Sequence, residues 1–274
     1  MIAIRTILCR GDNMNYFDKE IHILQMFQDE EYSDIFFPFE SEQAERIFHC
    51  IHDSEKWKQW KDNSAKGAPP PDFYCDAFKC MMEIMRIDDH AYIKHGKLIN
   101  PTNQRESEIQ QKLKQSGFLE SFPNSDGVIV NAITDLPSDE DHNYQRYKEN
   151  FTRALNKHKS KIPQYKKNHP GYQLVFFVLD ESSSYMELAG NPASIRRAPG
   201  RKHKASPHMH FFDKDFLTPV INSDIDYLIW YSPFKNTPGN PQYPHATIID
   251  IKEMSKNKDK LIHYLAEKML SVEL

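Results

Sequence analysis

Asp72 and Glu83 stand eleven positions apart, in Pro71-Asp72-Phe73-Tyr74 and Glu83-Ile84-Met85-Arg86. Between them the chain is dense in apolar and aromatic side chains, among them Phe73, Tyr74, Phe78, Met81 and Met82. Carboxylates projecting from such a run are costly to bury unless a cation pairs with them. Carried on two adjacent short strands, they would share a face and hold Mg²⁺ through a few oxygens, leaving its other positions to water and a phosphate. The ion would polarise the phosphoryl group and lower the pKa of an attacking water. A neighbouring cationic side chain would position that water and stabilise developing charge. The competing reading is structural: Asp72 caps the turn after the prolines, and Glu83 pairs with Lys79 or Arg86.

Other groups compete for attention. Asp180 lies just past the apolar run Leu174–Leu179, at the strand end where ligand sites of open α/β sheets gather, and is a candidate third acid. The alternative is a serine-rich turn, Ser182-Ser183-Ser184, capped by Asp180. His203, His208 and His210 lie close together, and His208-Met209-His210 on a strand would place two imidazoles on one face, as a transition metal requires. A histidine-rich surface edge is the plainer account. Tyr227, Trp230, Tyr231 and Phe234, within the stretch 227–244, could form a stacking platform for bases or a partner peptide, or simply pack the core. The serines lack a G-x-S-x-G context, and no glycine-rich nucleotide loop is present, which disfavours serine hydrolases and nucleotide-binding enzymes.

The elements that must position these residues follow from periodicity and breakers. Residues 18–29 and 41–60 read as helices, the second capped by Ser41. Residues 61–71 form a loop with three consecutive prolines, forcing an extended approach to Asp72. Residues 72–89 read as two short strands joined near Asp76-Ala77. A polar helix spans 102–115 and a strand 127–133. From about Asp139 to Ile162, the residues Tyr144, Tyr147, Phe151, Ala154, Leu155, His158 and Ile162 keep the spacing of a buried helix face. Arg146, Arg153, Lys157 and Lys161 fall outside that stripe. Leu174–Leu179 is continuously apolar, the mark of a central strand covered on both faces. Strands near 225–230 and 246–251, loops over 189–206 and 232–244, and a helix from about 256 to 270 complete the pattern. The expectation is a single mixed α/β domain, 1–274, with a central mixed sheet flanked by helices.

The chain has 274 residues, 39% hydrophobic and 27% charged, a globular balance able to bury a substantial core. No apolar run reaches the ~20 residues needed to span a bilayer, and Met1–Cys9 reads as a first strand rather than a signal peptide. Four scattered cysteines without paired C-x-x-C spacing point to reduced thiols in a cytoplasmic protein and away from structural zinc. The net charge of −4 provides no overall steering to polyanions. Locally the balance reverses: residues 146–169 carry eight Lys or Arg against Glu149 alone, and Arg196, Arg197, Arg201 and Lys202 lie in an acid-free stretch. Such surfaces suit nucleic-acid phosphates; a solvated helix face and a basic loop are the bland equivalents.

The stretch Pro71-Asp72…Glu83-Ile84-Met85, followed by a basic helix and an apolar strand, resembles the PD-(D/E)XK nuclease superfamily. The resemblance implies a restriction-endonuclease-like core over about residues 41–180 with 181–274 as an extension. It also implies Asp72 and Glu83 as Mg²⁺-binding acids. The motif's lysine position is occupied by Met85, which cannot orient water or carry charge. Lys79, with matching strand parity to Glu83, and Lys157 or Lys161 of the helix are the candidate replacements. A second departure is the polar helix and strand inserted between Glu83 and the long helix. The expected function is metal-dependent phosphodiester hydrolysis in nucleic acid, with Arg153, Lys157, Lys161, Arg196, Arg197, Arg201 and Lys202 on the phosphates. The alternative is a non-catalytic nucleic-acid- or protein-binding protein on a degenerate form of the same fold.

Overall fold

The computed structural model describes residues 2–9, 20–64, 70–123, 127–134, 142–190, 204–235 and 243–272. In chain order the strands are β1 (Ile2–Cys9), β2 (Ile35–Phe36), β3 (Lys61–Asp62), β4 (Phe73–Cys75), β5 (Cys80–Ile87), β6 (Tyr92–Lys94) and β7 (Lys97–Ile99). They continue as β8 (Gly127–Thr134), β9 (Gln173–Asp180), β10 (Tyr185–Leu188), β11 (Ala205–Pro207), β12 (Tyr227–Tyr231), β13 (Ala246–Asp250) and β14 (Met269–Ser271). The α-helices are α1 (Glu20–Gln28), α2 (Glu42–His52), α3 (Ser54–Trp57), α4 (Pro101–Gln115), α5 (Tyr144–Lys159), α6 (Ile162–Asn168), α7 (Lys214–Ile221) and α8 (Ile251–Lys256).

Seven strands form one mixed sheet in the order β2-β13-β12-β9-β5-β4-β3. β9 is its centre, parallel to both β5 and β12, while β4 is antiparallel to β5 and β13 to β12. The apolar run of β9 divides by parity. Leu174, Phe176 and Val178 face a core built with α5, α6, α7 and α8. Val175, Phe177 and Leu179 face a second core built with α1 and α2. This is the two-sided burial expected of a continuous apolar strand, and the mixed α/β class with a helix-flanked sheet is what the chain adopts.

Local chemistry fixes the ends of these elements. Ser41 Oγ accepts from Ala44 N at 3.1 Å and starts α2 as its sequence position suggests. Asp53 then accepts from Glu55 N and Lys56 N, which splits the expected 41–60 helix into α2 and α3. Asn143 caps α5 through Arg146 N at 3.0 Å. Pro163 follows directly on the expected helix 139–162. It sits in the first turn of α6, where a missing N–H is no loss, and the chain re-enters a helix that carries Tyr165 inward.

Several expectations need correction. The region 256–270 is not a helix: α8 ends at Lys256, and two 3₁₀ turns lead to β14, which pairs with β10. Lys61–Asp62 is an edge strand on β4 rather than loop. The strand at 127–133 joins β1 in a separate two-stranded antiparallel sheet. Tyr227, Trp230 and Tyr231 are buried core residues, so they form no exposed stacking platform; residues 236–242 of that region lie outside the described residues. Among the described residues no helix is long and apolar enough to cross a membrane.

Phe177 is fully buried, with its ring 5.2 Å from that of Phe27 on α1. Phe177→Ala should therefore cost about 3–5 kcal/mol of unfolding free energy, read from urea denaturation followed by circular dichroism.

Candidate active site

The antiparallel register of β4 and β5 pairs Phe73 with Met82 and Tyr74 with Met81, so extending the ladder by one step sets Asp72 directly opposite Glu83. Directly opposed residues point to the same face. Asp72 is held at that step by its own backbone carbonyl, which accepts from Asn63 N at 2.7 Å. Its side chain accepts from Ile84 N at 2.8 Å. Glu83 shares its face of β5 with the buried Met81 and Met85, beneath α5 and α6.

Glu83 is 2% exposed, and such a carboxylate needs compensation. His158 Nδ1 lies 2.7 Å from Oε1 and Lys161 Nζ lies 3.4 Å from the same oxygen. Neither Oε2 nor the buried hydroxyl of Tyr165 makes a hydrogen bond of standard geometry, although the hydroxyl stands close enough to Glu83 to favour its charged form. Burial pushes the Glu83 carboxyl up, but His158, Tyr165 and Lys161 together outweigh it and hold the group below its usual range. Asp72 shows the opposite result. Burial first, then the negative charge of Glu83, drives it up to about 7, with Glu20 of α1 adding in the same direction. Burial and the charge on Glu83 also hold the Tyr165 hydroxyl above its ordinary range.

A cleft of about 430 Å³ opens beside His158 and Ile84, the neighbours of the pair, although neither acid lines it. Glu20, Ile84, Met85, Arg86, Asp88, Asn150, Arg153, Lys157 and His158 are among its lining residues. Two of the expected phosphate contacts, Arg153 and Lys157, thus face the same opening as His158. Lys161, the third, reaches Glu83 itself. The structure brings together Asp72, Glu83 and Lys161, with Arg153 and Lys157 on the neighbouring cleft. His158, Tyr165 and Glu20 join them without having been singled out for chemistry. His158 was legible only as part of the helix stripe, three residues before Lys161. Tyr165 had no signal, because its position depends on the helical restart after Pro163.

Other expected site residues go elsewhere. Lys79 occupies the turn between β4 and β5 at φ 51°, and its Nζ stands 4.9 Å from the centroid of the Tyr172 ring. It is not a partner of the acids. Arg86 points to the opposite side of β5, as strand parity requires, and makes a two-point ion pair with Glu181. Asp180 is not a third metal acid. It is fully buried and accepts from Tyr147 Oη at 2.5 Å, Trp230 Nε1 at 2.7 Å, Lys235 Nζ at 3.0 Å, and both Ser182 N and Oγ. His208 and His210 do not share a strand face, because β11 ends at Pro207. His208 bonds Asp213 at 2.7 Å, whereas His210 bonds Tyr243 and Thr247 and stacks on Trp230. Arg196, Arg197, Arg201, Lys202 and His203 lie outside the described residues.

Two close carboxylates, one with a buried oxygen that makes no hydrogen bond of standard geometry, form a hard oxygen donor set of the kind Mg²⁺ or Mn²⁺ takes. Comparison with protein-family models, with curated proteins and with solved structures found no match to this chain.

The raised Asp72 pKa has a signed consequence. The folded protein keeps this proton where the unfolded chain has released it, so stability falls as pH rises from about 4 to about 7 and levels off above. Asp72→Asn keeps an acceptor for Ile84 N and removes the charge. It should exceed the wild type in stability at pH 8 by up to about 4 kcal/mol, with the difference vanishing near pH 4 in paired urea titrations.

Proposed function

We propose that this chain is a metal-dependent nuclease, hydrolysing phosphodiesters of nucleic acid at the Asp72–Glu83 pair. The observation that carries the reading is the direct opposition of the two acids, with Glu83 Oε2 buried and without a hydrogen bond of standard geometry near a cleft lined by basic residues of α5. The order β4, β5, α5, β9, with β9 parallel to β5, supports the resemblance to the PD-(D/E)XK superfamily on which the motif first drew. In this reading the protein works in the cytoplasm, where its buried thiols Cys50, Cys75 and Cys80 stay reduced.

Asp72 and Glu83 would hold Mg²⁺, which supplies charge neutralisation at the scissile phosphate and a more acidic water. Every other role falls to side chains already in place. His158 fixes Oε1 of Glu83, so Oε2 would be the oxygen offered to the ion. Lys161, near the acids and 39% exposed, takes over the work of the missing motif lysine, orienting the attacking water and balancing charge as the phosphorane forms. Arg153 and Lys157 hold the flanking phosphates along the cleft. Met85, 2% exposed, has a packing role in the helix-side core.

The test is cleavage of single- and double-stranded DNA and RNA with Mg²⁺ or Mn²⁺. Wild type should cut, and Asp72→Ala and Glu83→Ala should lose activity about 10²-fold or more while remaining folded. Lys161→Ala should fall by a similar factor, and unaltered cleavage by it would remove that assignment. Metal affinity should weaken as pH drops below about 7, because Asp72 must give up its proton to bind, which isothermal titration at several pH values reads directly.

The buried Met85 favours one second reading, a binding protein on the same fold that has lost its chemistry. Nucleic-acid binding that persists without divalent metal, falls steeply with salt and never leads to cleavage would identify it.

A further inference from the structure

Asp89, His90 and His142 converge at the other end of β5, away from the acid pair. We propose that these three side chains form a binding site for a divalent transition metal, of the class of Zn²⁺ or Co²⁺. The site ties the turn after β5 to the start of α5.

The distances make the case. His142 Nδ1 lies 3.2 Å from Asp89 Oδ1 and 3.1 Å from Oδ2, and His90 Nδ1 lies 3.4 Å from Oδ1. One ligand atom from each residue falls within 4.8 Å of the others. Three histidine–carboxylate pairs elsewhere are tight, 2.7 Å for His158–Glu83, 2.7 Å for His208–Asp213 and 2.6 Å for His245–Glu30, while the exposed His263 lies 3.4 Å from Asp215. The Asp89 separations are longer than those of the tight pairs and involve two imidazoles at once. Ligands bound about 2.05 Å from one ion lie roughly 2.9 Å apart at right angles and 3.3 Å apart at the tetrahedral angle. The Asp89 separations of 3.1–3.4 Å fall close to this spacing of co-ligands.

The surroundings hold the three residues in place. Asp89 is fully buried, and its Oδ2 accepts from Ser183 N at 3.1 Å, Ser183 Oγ at 3.0 Å and Tyr185 Oη at 2.5 Å. That anchoring leaves Oδ1 toward the imidazoles, as hydrogen bonds outside a metal site commonly do for a ligating carboxylate. Ser183 is itself braced by Ser271. The turn bearing His90 is fixed by Asn150 of α5, whose Nδ2 bonds Asp88 Oδ1 and the carbonyls of Asp88 and Ala91. The side chain of His90 is 18% exposed, which gives an ion a way in. Two imidazoles with one carboxylate select first-row transition ions over Mg²⁺. A second cluster, Glu30, Asp34 and His245, is less suited, because His245 is already committed to Glu30 at hydrogen-bond distance.

The experiment is a titration of metal-stripped protein with Co²⁺, read by its visible absorption, with Zn²⁺ as competitor. Wild type should bind one equivalent with a nitrogen-ligand spectrum, and Zn²⁺ should bleach it. The signal should survive in Asp72→Ala/Glu83→Ala and in His245→Ala. It should weaken more than about tenfold in His90→Ala and His142→Ala, and about 10–100-fold in Ser183→Ala. Circular dichroism of the partly exposed His90 variant checks that it folds. Absence of a Co²⁺ spectrum in the wild type would overturn the site, as would survival of the spectrum in both histidine variants or its loss in His245→Ala.

Discussion

The repulsion between two carboxylates on one rung of a β-ladder is the constraint from which much of this structure follows. Asp72 and Glu83 face each other in a partly desolvated setting, where like charges interact far more strongly than in water. The fold answers by dividing the load. Glu83 keeps its charge because the end of α5 and the first turns beyond it deliver His158 and Lys161 to it. Asp72 has only a backbone N–H and the more distant Lys161 in its favour, so its carboxyl is driven up to about 7. A divalent cation between them would relieve both strains at once.

The other buried carboxylates show what a satisfied acid looks like in this interior. Asp180 is saturated by Tyr147, Trp230, Lys235 and Ser182, and Asp213 by His208, Tyr144 and the N–H of Asp215. These clusters brace the polar half of α5 against β9 and β12. Among the described residues, Glu83 carries the buried carboxylate oxygen without a hydrogen bond of standard geometry, with only the Tyr165 hydroxyl near to favour its charge. That open oxygen, near a cleft lined by basic residues of α5, is the ground on which the chemistry is proposed there.

Much of this was legible in sequence where one element determines its own environment. The apolar run Leu174–Leu179 demanded cover on both faces, and the prolines before Asp72 demanded an extended approach. The acid spacing, with a turn between, sufficed to place Asp72 and Glu83 on one face. What could not be read were contacts decided by tertiary placement. Strand parity recommended Lys79, but the turn at φ 51° carries it to Tyr172. The expected helix stopped at Ile162, but the chain starts a new one there with Pro163 in its first turn, which is why Tyr165 was invisible. Asp180 had the right address at a strand end, but Lys235, 55 positions later, closes over it. His208 and His210 looked like one pair because their shared strand was assumed. The chain leaves β11 before them, and each finds its own partner.

The central claim is that the opposed acids hold a divalent cation, and anomalous scattering from crystals soaked in Mn²⁺ tests it most directly. The account requires a peak between the Asp72 and Glu83 carboxylates, within bonding distance of Glu83 Oε2, and its disappearance in Glu83→Gln. A crystal in which Mn²⁺ occupies other sites while the Asp72–Glu83 pair stays empty above pH 8, where Asp72 is ionised, would contradict it.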